Sequence, residues 1–140
     1  MLRIVADANV LVSAAIARSP QAPSVLTLDA ALDGRIELVT SPLLLREIAT
    51  VLARPRLQKY VSAEEATRLL ADLAAQTILL DDPKDRPAVC RDPRDDYLVA
   101  LATASGAEAV VTGDLDLLEI DPNQLSIEIL TPRQLTNRLS

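Results

Sequence analysis

Apolar positions come in short blocks along this chain, and the spacing of each block names an element. Leu2-Arg3-Ile4-Val5-Ala6 is too short and too continuous for a helix face and reads as a buried strand that stops on Asp7. Val10 to Ala17 reads as a helix with Asn9 as its N-cap. After the loop Arg18 to Pro23, Ser24 is placed to cap a helix through Leu32, closed by Asp33-Gly34. Ile36 to Val39 is a second strand. Ser41 then caps a helix with Pro42 at its first position. Leu44, Leu45, Ile48, Val51 and Leu52 share one face of that helix, which ends near Arg54-Pro55.

The second half repeats the alternation. Ser62 and Glu65 form a capping box for a helix running to about Ala75. Thr77 to Leu80 is a third strand, and Asp81 to Arg94 is a polar loop containing prolines. Asp95 or Asp96 opens a helix through Ser105 that Gly106 stops. Ala109 to Thr112 is a fourth strand, followed by a turn at Gly113-Asp114. Ser126 to Leu130 is a fifth, and Thr131 with Pro132 starts a last short helix. Strands that alternate with helices define an α/β protein: a parallel-stranded sheet of about five strands with helices on both faces. No linker, repeat or low-complexity segment interrupts it, so residues 1–140 read as a single domain.

Composition narrows the chemistry. There is no His, which excludes a histidine base, a Ser-His-Asp triad and an imidazole metal site. One cysteine, Cys90, forms neither an internal disulfide nor a thiolate zinc site, and has no base to activate it. Three glycines are too few for a phosphate-binding glycine loop. With two Tyr and no Trp or Phe, there is no aromatic platform for bases. No apolar run reaches the roughly 20 residues that span a bilayer, and no signal-peptide order opens the chain. The expectation is a soluble, cytoplasmic protein whose chemistry is carried by carboxylates.

Those carboxylates fall at telling places. In open parallel sheets, ligands bind beyond the carboxyl ends of the strands. Asp7 follows the first strand, Asp114 the fourth, and Asp96 starts the helix that feeds the fourth. Glu47 lies near the start of the helix after the second strand. Like charges gathered without Lys or Arg raise one another's pKa, and a hard divalent cation is the simplest reason to gather them. Mg²⁺ or Mn²⁺ in such a cluster supports phosphodiester hydrolysis without His or Cys. A net charge of −6 argues against a nucleic-acid partner, but acid-bound cations present local positive charge to a phosphate. Each acid also has a plainer reading. Asp7 is also placed for an Asx cap, Glu47 for a solvated helix face, Asp95 and Asp96 for helix capping, and Asp114 and Asp116 for a turn.

The order DANVLVSA, LLREIATVL, RDPRDDYLVALA, VVTGDLDLL resembles the PIN-domain family, from Leu2 to about Leu130. The likeness is to its prokaryotic branch of toxin–antitoxin ribonucleases of the VapC type. The resemblance implies an α/β/α sandwich and a metal-dependent endoribonuclease that leaves 5′-phosphate and 3′-hydroxyl ends. It implies Asp7, Glu47, Asp96 and Asp114 as catalytic acids and Mg²⁺ or Mn²⁺ ligands, with Asp116 as an extra ligand. Asn9, Thr112 and Asp95 take supporting positions. A cognate antitoxin and a homodimer are the implied partners, beside the RNA substrate. The family commonly has a Phe after the Asp pair; this chain has Leu98 there, which touches packing rather than chemistry. Arg46, Arg54, Arg56 and Lys59, the densest basic run, are candidates for contact with the nucleic-acid backbone or are solvated helix-end charges. Two other functions compete. One is a partner-binding module of the same fold without activity. The other is a phosphatase or phosphoacceptor with Asp7 as nucleophile, which the lack of a late Lys disfavours.

Overall fold

The computed structural model describes residues 1–121 and 125–140. Five strands, β1 (Arg3–Ala6), β2 (Glu37–Thr40), β3 (Ile78–Leu79), β4 (Ala109–Val111) and β5 (Glu128–Leu130), form one sheet in the order β3-β2-β1-β4-β5. Every pairing is parallel, with Val5 opposite Val39 on one side and Val110 on the other. Ile4, Val5 and Ala6 are inaccessible to solvent, as are Ala109, Val110 and Val111. Strands buried on both faces need helices on both faces, which explains their unbroken apolar sequence.

The helices are α1 (Ala8–Ile16), α2 (Pro23–Leu32), α3 (Pro42–Leu52), α4 (Ala63–Gln76), α5 (Asp96–Ser105), α6 (Leu115–Leu118) and α7 (Pro132–Leu139). The chain steps from β1 to β2 to β3, then returns past them to β4 and β5. Because parallel crossovers are right-handed, this reversal sends α5 to the face opposite α1 to α4. There α5 packs against β1 and β4. Helix α3 buries Leu44, Ile48 and Leu52, while Leu45 and Val51 of the expected face are half-covered.

Local signals set most boundaries. Ser41 caps α3 through Leu44 N–H, with Pro42 behind it, and Ser62 and Glu65 form the expected capping box of α4. Thr131 and Gln134 form a second box on α7. Two expected caps differ. Asp7, not Asn9, caps α1, its carboxylate accepting from the Asn9 N–H, so the helix starts earlier than the apolar run suggested. Ser24 does not cap α2; that helix begins at Pro23, after Ala22, without a side-chain cap. Helix α6 and the single 3-10 turns Pro55–Leu57 and Pro93–Asp95 carry no periodic signal of their own and were not expected.

Gly106 ends α5 with φ 72°, and its N–H and that of Ala107 close the last carbonyls. A side chain there meets no neighbour but must adopt the left-handed region. Gly106→Ala is therefore expected to lower unfolding stability by about 1 kcal/mol without changing the fold, read as a shifted midpoint in urea.

Candidate active site

The sheet places its switch point between β1 and β4, where the chain leaves toward β2 on one side and β5 on the other. Asp7 stands there, immediately after β1. Its N–H donates to Val111 O at 2.9 Å, which carries the sheet ladder one residue further. Its carboxylate is 3% exposed. Oδ1 accepts from Asn9 N–H at 3.1 Å and Oδ2 from the Thr112 hydroxyl at 2.9 Å. Thr112 Oγ1 in turn accepts from Asp114 N–H at 2.9 Å, and Asp114 Oδ1 caps α6 through Asp116 N–H at 2.9 Å. One hydroxyl thus links the acid after β1 to the segment carrying the acid after β4. Burial pushes the Asp7 pKa upward; the bonds from Asn9 and Thr112 hold it down, and the charges of Glu47 and Asp114 raise it again.

Glu47 reaches this neighbourhood from α3. The buried Tyr97 hydroxyl donates to Glu47 Oε2, which fixes the carboxylate against α5. Burial raises the Tyr97 pKa further, followed by that bond, so the phenol stays a donor.

The two acids that open α5 separate. Adjacent residues on a helix point about 100° apart, so they cannot share one task. Asp96 is buried, and its Oδ1 accepts from Val89 N–H at 3.2 Å and Cys90 N–H at 2.8 Å. It ties down the Asp81–Arg94 loop. Asp95 makes no capping bond. Its pKa is pushed up to about 7, first by burial, then by the charges of Asp7, Asp114, Asp92 and Glu47. Asp95, expected as the supporting neighbour, therefore lies within reach of the charges of four other acids, while Asp96 lines the groove beside Glu47. Asp116 is met by Arg91, Nη1 to Oδ1 3.5 Å, while Arg91 also pairs with Glu119. Cys90 is pushed up to about 12 by burial and by Asp96, which makes it a poor nucleophile.

Among the described residues, Asp7, Glu47, Asp95 and Asp114 have no Lys or Arg ion-pair partner. Also among them, no three carboxylates stand close enough to enclose an ion alone. Mg²⁺ does not ask for that: it keeps several waters and takes one or two carboxylates plus a substrate phosphate. The donor set fits such an ion. Each carboxylate oxygen of Asp7 accepts one bond and keeps a second lone pair.

Two grooves border the acids. One, about 520 Å³, runs along α3 past Glu47, Asp96 and Tyr97 and is lined by Arg46, Arg54, Arg86 and Arg94. The other, about 280 Å³, holds Asn9, Ser13, Ser24 and Asp114. Asn9 therefore borders the site through an exposed side chain and bonds to Asp7 only through its backbone. Of the expected basic run, Arg46 and Arg54 line the larger groove; Arg56 and Lys59 do not, and Lys59 lies 5.3 Å from the exposed Tyr60 ring. Sequence reasoning missed Tyr97, Arg86, Arg94 and Asp82. Asp82 Oδ2 accepts from Leu43 N–H at 2.9 Å and ties the loop to the start of α3, while its Oδ1 is buried without a partner. The signal for Tyr97 was available, since it is one of only two aromatic residues and directly follows the acid pair.

A doubly wound parallel sheet with acids free of ion pairs at its switch point defines a class of protein, and sequence comparison names the family. The family model described as PIN domain matches residues 3–116. The chain belongs to the PIN-domain family. It is 28% identical over 140 residues to the uncharacterized protein MJ1680 of Methanocaldococcus jannaschii, covering 95% of this chain and 88% of that one. Three solved structures share the fold. PAE2754 from Pyrobaculum aerophilum has a TM-score of 0.62 at 20% identity, covering 99% of this chain and 89% of that one. VapBC2 from Rickettsia felis, described as bound to a DNA fragment from their promoter, gives 0.60 at 14%, covering 93% and 98%. FitAcB from Neisseria gonorrhoeae gives 0.58 at 17%, also covering 93% and 98%. No helix of the described residues is long and apolar enough to cross a membrane.

The raised Asp95 pKa has a thermodynamic sign. Between its ordinary value of 3.8 and about 7, the folded chain holds a proton that the unfolded chain has lost. That contribution is fully present below the unfolded value and is lost as pH rises through the folded one. In metal-free buffer the thermal midpoint is expected to fall as pH rises from about 5.5 to about 8, and Asp95→Asn to flatten that slope. Differential scanning calorimetry across that range checks it; an unchanged slope in the variant would place the charge strain elsewhere.

Proposed function

We propose that this chain is a metal-dependent endoribonuclease, the toxin of a toxin–antitoxin pair, hydrolysing RNA phosphodiester bonds at the switch-point acids. One observation carries the reading: four carboxylates without an ion-pair partner among the described residues, Asp7, Glu47, Asp95 and Asp114, come from four separate segments into reach of one another's charge. Membership of the PIN-domain family supports a nuclease. Neighbours of like fold described as VapBC2 and FitAcB support a protein partner that covers the site, an antitoxin. A homodimer, cytoplasmic placement and RNA rather than DNA as substrate belong to the same proposal.

One or two of the acids Asp7, Asp95 and Asp114 would hold Mg²⁺ or Mn²⁺, which would supply Lewis acidity and a more acidic water when bound. Thr112 and Asn9 N–H keep the Asp7 carboxylate turned to that position. Glu47, fixed by Tyr97, would orient the attacking water and accept its proton. Asp96 acts at one remove, by holding the loop that carries Arg86 and Arg94. Asp116, engaged by Arg91, is an outer acid in this reading rather than a direct ligand. Neither lysine of the chain lines the grooves at the acids, which disfavours a phosphoacceptor that needs one.

The test is cleavage of structured RNAs by metal-stripped protein, with and without Mn²⁺ or Mg²⁺. Asp7→Asn and Asp95→Asn are each expected to reduce metal-dependent cutting by more than about 100-fold. Asp96→Asn, acting through the loop, is expected to lose about 10- to 100-fold. Wild-type protein that binds no divalent ion by calorimetry would overturn the nuclease and leave a partner-binding module.

A further inference from the structure

We infer that the groove along α3 is the track for the sugar–phosphate backbone of single-stranded RNA beside the bond that is cut; this rests on the nuclease reading above. The chain has 20 acids against 14 bases, so a surface where cations gather without acids stands out. Most arginines with a carboxylate in reach are spent on it: Arg3 on Glu37, Arg35 on Asp33, Arg91 on Asp116 and Glu119, Arg138 on Glu128. Among the described residues, Arg46, Arg54 and Arg86 make no such pair and all three line this one groove, whereas the equally unpaired Arg18, Arg56, Arg68 and Arg133 are scattered outside it. Arg94 joins them, its fork held by Asp92 at 2.9 Å.

Two grooves border the acids, and only this one carries cations; the Ser13 and Ser24 groove has none. Exposed guanidinium groups in a row match phosphates, which they bind in paired hydrogen bonds. Leu43 and Val51 give the same groove an apolar floor for sugar and base faces. The face of α3 from Leu43 to Leu52 is about 14 Å long at 1.5 Å per residue, with Glu47 midway along it and Arg54 just past its end. A cleft of about 520 Å³ takes a few nucleotides of one strand rather than a duplex. Local positive charge in a cleft draws in a polyanion in spite of a net charge of −6. The inference moves the RNA contact away from Arg56 and Lys59 and onto the loop arginines.

Binding of a short fluorescein-labelled single-stranded RNA, read by anisotropy in EDTA, separates contact from cutting. The Arg54→Ala/Arg86→Ala double variant is expected to bind about tenfold more weakly at low salt, with the log Kd against log salt slope shallower by about 1.4. Arg56→Ala/Lys59→Ala is expected to match wild type. Both pairs are exposed, and circular dichroism checks that they fold. Wild-type affinity and slope in the first variant, or no RNA binding by the wild type, would overturn the track and leave an acidic protein segment as the occupant. Cutting assayed in parallel with Mn²⁺ keeps the two ideas apart. Unchanged binding with cutting intact sinks the track alone, and a lost slope with no cutting by any protein keeps the track and sinks the nuclease.

Discussion

The hydroxyl proton of Thr112 is already assigned. Its oxygen accepts the Asp114 N–H, so the proton goes to Asp7, and the direction of both bonds is set. That one buried group holds a carboxylate in place at the end of a strand where charge is expensive. Removing it would leave Asp7 with a single bond from Asn9 and no tie to the turn after β4. The rest of the site is arranged around this fixed point. Glu47 approaches it from α3 and Asp95 from the turn that precedes α5. Neither makes an ion pair among the described residues, and the nearby positive charge they share is that of Arg94, which Asp92 already holds. The arrangement stores repulsion that a divalent ion is suited to relieve.

The loop between β3 and α5 is anchored rather than free. Asp82 fastens its start to the first turn of α3, and Asp96 fastens its later part at Val89 and Cys90. Between and beyond these anchors it offers Arg86, Arg94 and Arg91, two to the groove and one to Asp116 and Glu119. The same helix start therefore presents two acids with different duties. Asp95 faces the charge cluster and Asp96 organises the wall.

The sequence made the fold largely readable because a buried parallel strand leaves a plain mark. Ile4-Val5-Ala6 and Ala109-Val110-Val111 admit no polar residue, and Ser41-Pro42, Ser62…Glu65 and Thr131-Pro132 announce their helices. Family membership was legible for the same reason, since the acids sit at fixed points on those elements. What stayed hidden needs distances across the chain. Asn9 is as good a cap on paper as Asp7, and only the position of the Asn9 N–H decides between them. Asp95 and Asp96 are indistinguishable in sequence because which of them turns inward depends on how α5 lies on β1 and β4. Arg86 and Arg94 belong to a loop without periodicity, so nothing local ties them to Arg46 on α3 and Arg54 just past its end.

The strand order also has a consequence in time. β1 is made well before β4, and its pairing with β4 waits for residues more than a hundred positions later. Until then one edge of the central strand has no partner, and Asp7 has neither Thr112 nor Asp114 beside it. A chain still on the ribosome, or cut short before Thr112, can form β1 against β2 but cannot assemble the acids. The long-range contact that slows folding thus keeps the site incomplete until synthesis has passed Thr112 and Asp114.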